Sequence, residues 1–169
     1  MSFFNPPNYI GMIDQGAEKK ARELAGLITA SGLDTSFTND IKRYEWIKAI
    51  LNAALSPVCA LTRRTMKQMM DQRDTRQLAR EILREGKEVA EACGFELESD
   101  FIEKGIGYLD KTGHHKTSMH VDLELGNPTE IDFINGKIVQ YVKLRGVPTP
   151  YNSAIVALIK GSELPEHKE

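Results

Sequence analysis

Trp46-Ile-Lys48-Ala-Ile-Leu-Asn52-Ala-Ala-Leu-Ser56-Pro57 is the stretch around which the chain is organised. No charged side chain occurs from Ala49 to Thr62, so Lys48 is the last charge before a long apolar run. In a helix, Lys48, Asn52 and Ser56 recur at every fourth residue and share one face. Leu51 and Leu55 flank that face on one side, Ala49 and Ala53 on the other. Burying a lysine and an amide without partners is costly, so their alignment on an apolar helix calls for a reason. Pro57 lacks a backbone donor and disfavours helix at Ser56, which predicts a bend there.

Towards the N-terminus, residues 9–13 read as a short strand ended by Asp14-Gln-Gly16. Residues 17–30 read as a helix, with Ala21, Leu24, Ala25 and Ile28 on one face and Gly32 as its stop. Residues 35–38 supply a second strand, so the segment is one β-α-β unit with a parallel pair. Two strands make a poor free-standing sheet. Residues 1–39 therefore read as the trailing edge of a larger α/β domain, and residues 40–169 as a helical bundle.

Within the bundle, Asn39 or Asp40 caps the helix that carries the opening stretch. A long helix follows at residues 75–93, with Leu78, Ile82, Val89 and Cys93 as its buried stripe, Gly94 as its stop and Phe95 packing back. Asp100 caps a helix to Leu109. Ser118 begins a short helix that Gly126 ends, and the hydroxyl of Ser118 is the expected N-cap. Thr129-Glu-Ile-Asp132 has the spacing of a capping box, ahead of a helix with Ile131, Ile134, Ile138 and Val142 on its inner face. Gly146 ends that helix, Asn152 caps the last one to Lys160, and residues 161–169 form a polar, frayed tail.

Composition narrows the function. The 169 residues are 41% hydrophobic and 27% charged, with a net charge of −2. That is an ordinary globular balance. The densest positive spots, Lys42-Arg43 and Arg63-Arg64 with Lys67, read as solvated helix ends, so nucleic acid is not the expected partner. No run approaches the ~20 apolar residues of a membrane span. The start, Met1-Ser-Phe-Phe-Asn-Pro-Pro, has no charged or apolar targeting pattern and enters the first strand abruptly. Cys59 and Cys93 read as buried, reduced thiols, which places the chain in the cytoplasm.

Single residues elsewhere have ordinary explanations. Glu130 suits a first helical turn, and Asp132 suits the capping box. His114-His115 and His120 lack the spacing and partners of a metal site. Gly105-Ile-Gly107 does not follow a strand and lacks a third glycine, so no dinucleotide loop is present. Lys48 reads either as a lysine snorkelling from a helix start or as an acid and anchor for a carboxylate substrate. Asn52, one turn on in a wholly apolar stretch, favours the substrate contact.

Two separated motifs then agree in order and spacing. They are Trp46-x-Lys48-x-x-x-Asn52 with Pro57, and Ser118-Met119-x-x-Asp122 followed by Pro128-Thr129-Glu130-Ile131-Asp132-x-x-Asn135-Gly136 and Gly146-Val-Pro148-Thr-Pro150-x-Asn152. Together they resemble the C-terminal domain of ketopantoate reductase (2-dehydropantoate 2-reductase), over about residues 9–160. The resemblance implies a mainly α fold, a helical bundle of the 6-phosphogluconate dehydrogenase C-terminal-like type. It also makes residues 1–39 the β-α-β remnant of a Rossmann-like domain.

By the same resemblance Lys48 matches the general acid that protonates the keto oxygen, and Glu130 matches a glutamate that holds the substrate hydroxyl and tunes the lysine. Asn52 and Ser118 match substrate contacts. Family members often carry a second asparagine where this chain has Ser56, a shorter contact that leaves room for a different 2-oxo acid. The implied cofactor is NADP, bound by an N-terminal Rossmann domain. Glu130 is the one residue of this chain left open for contact with that cofactor. A small 2-oxo acid and that Rossmann domain are the implied partners, and a homodimer is open. The chain alone is expected to be catalytically silent. Two other readings stay open: a helical dimerisation or ligand-binding module without chemistry, and a related reductase of another 2-oxo acid.

Overall fold

The structure, a computed structural model, describes residues 8–13 and 16–163, apart from the side chains of residues 142–144. The sequence readings of Met1–Pro7, of Asp14-Gln15, of the Val142 side chain and of residues 164–169 lie outside the described residues. The chain divides into two compact units, Met1–Trp46 and Ile47–Glu169.

The first unit contains β1 (Asn8–Ile10), α1 (Glu18–Ala30) and β2 (Thr35–Phe37). The strands pair in parallel, with Asn8 opposite Thr35 and Ile10 opposite Phe37. Thr29, near the end of α1, ties the helix to β2: its hydroxyl donates to Thr35 O at 2.9 Å and accepts from Thr35 N at 3.0 Å. β1 is shorter than the expected 9–13. It stops at Gly11, where an added Cβ would lie 2.2 Å from Ile41 Cβ, so the backbone passes the next helix too closely for any side chain. Tyr9 stacks on Tyr44, with ring centroids 4.0 Å apart.

The second unit is helical. α2 (Ile41–Thr62) runs into it from the first, and is followed by α3 (Met66–Asp71), α4 (Arg73–Ala92), α5 (Phe101–Leu109), α6 (Ser118–Leu125), α7 (Asn135–Arg145) and α8 (Pro150–Ser162). The chain is thus mainly helical with one small parallel sheet, as the sequence predicts. α2 is the central element: Ile50, Ala53, Ala54, Leu55, Pro57, Val58, Cys59 and Ala60 are all buried. It is assigned as one continuous helix through Pro57. Its end is a left-handed turn at Arg63 (φ 52°), where Arg63 N donates to Ala60 O and Arg64 N to Cys59 O. That is the hydrogen-bond pattern in which glycine is the usual residue.

α4 buries a stripe of Ala79, Ile82, Leu83, Gly86, Val89 and Ala90. The stripe is broader than the predicted one, in which Leu78 and Cys93 prove half-buried. Gly86 lies against Ile50 of α2. A Cβ there would sit 2.8 Å from Ile50 Cγ2 and 2.9 Å from Ile50 Cγ1. Alanine has the better helix propensity by about 1 kcal/mol. Overpacking a stiff β-branched neighbour costs about 1–3 kcal/mol. Gly86→Ala is therefore expected to lower the unfolding free energy by about 1 kcal/mol, measured by urea denaturation. A raised midpoint would show that the helices can part without cost.

Several boundaries differ from the sequence reading for local reasons. α3 was not anticipated, although Thr65 and Gln68 form a complete capping box at its start. The expected box at Thr129 and Asp132 does not form. Thr129 instead donates through N and Oγ1 to Glu163 Oε1 (2.8 and 2.5 Å), and Asp132 pairs with Lys160 at 2.7 Å. Residues 130–134 are accordingly a turn, and α7 starts only at Asn135. Ser118 is not the N-cap of α6. Thr117 is, its hydroxyl accepting from His120 N. α8 begins at Pro150, so Asn152 lies inside its first turn and does not cap it. α4 and α5 are joined by the Arg76–Asp110 and Arg80–Glu103 ion pairs, and the Arg80 guanidinium holds the Glu103 carboxyl below its usual range.

Candidate functional site

Lys48, Asn52 and Ser56 form one face of α2, and it is the face that the rest of the unit leaves uncovered. Lys48 and Asn52 are exposed, Ser56 is half-buried, and the flanking Ala53 and Leu55 are buried. The polar stripe is thus not a set of groups sunk in an apolar core. It is a window of polar side chains in a helix whose other sides are packed.

Two hydrogen bonds bring distant segments to this face. The first runs from Thr117 Oγ1 to Ser56 O at 3.3 Å. Because Thr117 caps α6, the bond sets the helix start, and with it Ser118, beside the Ser56 turn. Freed from the capping role, the exposed Ser118 hydroxyl is open at that helix start. The second runs from Asn135 Nδ2 to Ala53 O at 3.1 Å. It fastens the start of α7 next to Asn52, and the turn that bears Glu130 leads directly into that start. Glu130 is exposed, while its neighbour Ile131 is buried and acts as the anchor of the turn. Among the described residues, Lys48, Asn52, Ser118 and Glu130 take part in no side-chain hydrogen bond or ion pair with one another. The chain gathers their segments around one turn of α2 and leaves the polar ends open.

Behind the Asn135 bond lies a buried polar chain that the sequence reading did not identify. Pro57 has no N–H, so the carbonyl four residues earlier, Ala53 O, loses its helical partner. Asn135 Nδ2 supplies the missing donor and also donates to Asn152 Oδ1 at 3.0 Å. Asn152 Nδ2 donates to Glu85 Oε2 at 2.7 Å. The Glu85 carboxylate further accepts from Tyr151 N (2.8 Å) and Asn152 N (2.9 Å), the free amides of the first turn of α8. Glu85 is 6% exposed, and Asn135 and Asn152 are fully buried. A carboxylate at a helix N-terminus satisfies orphan donors and complements the helix dipole. The sequence signal was available: a proline inside a helix orphans a carbonyl, and Asn135 stands among Ile131, Ile134 and Ile138 with no surface reason to be polar.

The remaining candidates have plain environments. His120 is buried, with Nε2 3.2 Å from Glu124 Oε1, and Lys116 holds the Glu124 carboxyl below its usual range. Burial pushes the Cys59 thiol up to about 12, and Cys93, expected to be buried as well, is half-buried; both are free thiols. Among the described residues, no three His, Cys, Asp or Glu side chains converge on a metal position, and no helix is long and apolar enough to cross a membrane. The described glycines with positive φ stand at positions 16, 32, 94, 126 and 146.

The chain superposes on a D-mandelate dehydrogenase solved with NADH and anilino(oxo)acetate, at a TM-score of 0.85 and 26% identity, over 92% of this chain and 52% of that one. It superposes equally, at 0.85 and 30% identity, on 2-dehydropantoate 2-reductase from Methylococcus capsulatus, over 95% of this chain and 52% of that one. The profile "Ketopantoate reductase PanE/ApbA C terminal" matches residues 40–163, and the chain belongs to that family. A 2-dehydropantoate 2-reductase from Pyrococcus abyssi is 32% identical over 160 residues, covering 95% of this chain and 53% of the relative. The chain spans about half the length of the relatives it matches.

Proposed function

We propose that this chain supplies the substrate-facing residues for NADPH-dependent reduction of 2-dehydropantoate to pantoate. Family membership supports the reaction class. The observation that carries the assignment to residues is the open face of α2, where Lys48 and Asn52 stand exposed beside the segments of Ser118 and Glu130. We read residues 1–39 as the edge of the nucleotide-binding domain, on the strength of their parallel β-α-β unit. The two free thiols suit a reducing cytoplasm.

The open polar groups on α2 suit the substrate end of such a reaction. The nicotinamide supplies a hydride to the keto carbon. Charge then develops on the keto oxygen, and a positioned ammonium both stabilises it and delivers the proton that completes the hydroxyl. We assign that role to Lys48. Asn52, one turn further on, offers an amide that can donate to the substrate carboxylate and accept from a hydroxyl. Ser118 adds a hydroxyl from the start of α6. Glu130 supplies a carboxylate that can accept from the substrate hydroxyl.

A second reading has a specific observation behind it. Ser56 is shorter than an asparagine, and the chain superposes on a D-mandelate dehydrogenase at the same TM-score, 0.85, as on a 2-dehydropantoate 2-reductase, at 26% against 30% identity. A related reductase of a bulkier 2-oxo acid fits both facts. The test is turnover by the assembled enzyme, the chain together with the polypeptide that supplies its nicotinamide-binding half. 2-Dehydropantoate and an aryl 2-oxo acid are each offered with NADPH and with NADH. Preference for 2-dehydropantoate and NADPH supports the first reading, and preference for the aryl acid the second. No turnover of any 2-oxo acid contradicts both.

A further inference from the structure

The buried chain from Glu85 to Ala53 O has a fixed direction. Both oxygens of the Glu85 carboxylate accept, so Asn152 must turn its NH2 towards it. The Asn152 carbonyl then faces Asn135, which must answer with its own NH2, and the second hydrogen of that group points at Ala53 O. Each amide has one workable orientation, and a flip of either would set oxygen against oxygen. The chain ends on the single α2 carbonyl that Pro57 deprives of a partner, between Asn52 and Ser56.

We propose that Asn135 is a positioning residue: its amide replaces the backbone donor that Pro57 lacks, and so fixes the α2 turn bearing Asn52 and Ser56 against the segment bearing Glu130. This rests on the reading of that face as the substrate side of a 2-oxo acid reductase. The geometry gives the bond two effects at once. It holds a helix at its weakest point, where the proline has removed one rung. It also ties the start of α7, directly after the Glu130 turn, to the neighbour of Asn52. A donor from any other position could satisfy the carbonyl without aligning the two halves of the face. Small misplacement of substrate-holding groups is expensive, with about 1 Å enough to cost up to ~100-fold in rate.

Three variants of the full chain test it, each measured in the assembled enzyme: Asn135→Ala, Pro57→Ala and the two combined. Pro57→Ala restores the N–H that can reach Ala53 O directly, so Asn135 becomes dispensable for that carbonyl. Asn135→Ala alone is expected to raise KM for the 2-oxo acid about 10-fold or more. Pro57→Ala alone should leave KM within about 3-fold of the parent, because Asn135 still ties α7 to α2, and the double variant should lie about 10-fold above Pro57→Ala, because the restored N–H fills the carbonyl without aligning the two segments. If Asn135→Ala does not fold by itself, the comparison of Pro57→Ala with the double variant still decides. A KM that stays about 10-fold higher in the double variant supports the proposal, and equal KM values overturn it, because the carbonyl is then satisfied and the tie between α7 and α2 proves dispensable. A lower denaturation midpoint with unchanged KM in Asn135→Ala also overturns it, because that is what a merely structural amide would give. Lys48→Ala in the same assay separates the failures. Full activity there sinks the functional reading itself, whereas a large loss there with equal KM values in Pro57→Ala and the double variant sinks only the positioning role.

Discussion

Lys48→Ala in the assembled enzyme is expected to lower kcat by about 10²–10⁴-fold, the usual worth of a positioned proton donor. KM should change far less, because the lysine acts mainly where charge develops on the keto oxygen. The side chain is exposed and takes part in no ion pair among the described residues, so its removal leaves no buried partner stranded. Far-ultraviolet circular dichroism and the denaturation midpoint should match the parent. Steady-state kinetics check the prediction, and a loss smaller than tenfold would remove Lys48 from the chemistry. Lys48→Arg keeps the cation but holds its proton too tightly to donate it, so most of the loss should remain.

The largest stability effect is expected at Glu85. Its carboxylate accepts from Tyr151 N, Asn152 N and Asn152 Nδ2, and all three donors lose their acceptor in Glu85→Leu. Leaving buried donors unpaired costs about 1–3 kcal/mol each, less where water can enter. A net loss of about 3 kcal/mol follows, equivalent to a fall in Tm of about 6–12 °C for a chain of this size. Glu85→Gln keeps the shape and one acceptor oxygen, so it should fall between the two. Calorimetry of the full chain reads the effect. A Glu85→Leu variant as stable as the parent would mean that the start of α8 does not depend on this cap.

The stripe on α2 was legible because four-residue spacing is a property of the helix alone. Its exposure was not, because it depends on which neighbours cover which side. Spacing alone leaves Lys48 open between a snorkelling lysine and a substrate anchor, with Asn52 favouring the substrate contact. In the fold they occupy the side left open, and the apolar residues around them face the other way. Pro57 was legible as a break in the hydrogen-bond ladder. Its remedy was not, because Asn135 comes from a segment far along the chain and only the packed bundle brings it to Ala53 O.

Capping patterns failed where two residues competed for one task. Thr117 and Ser118 are both good N-caps, and the fold uses the first, which frees the second for the open face. Thr129-x-x-Asp132 has the right spacing, yet Lys160 and Glu163 near the C-terminal end of α8 take both side chains. Glu163 binds Thr129, and Lys160 binds Asp132, so the turn that carries Glu130 is fixed by tertiary contacts and not by a helix start. Thr65-x-x-Gln68, which does form a complete box, went unread because its helix is only six residues long. Local pattern gave the elements of this unit, and long-range polar contacts gave their exact setting around the face.

The most direct measurement is a crystal structure of the assembled enzyme with its nicotinamide cofactor and a 2-oxo acid bound. Lys48 Nζ should lie within about 2.6–3.2 Å of the keto oxygen, the reach a proton donor needs. Asn52, Ser118 and Glu130 should line the same substrate. A 2-oxo acid bound away from the α2 face, with Lys48 still facing solvent, would contradict the account.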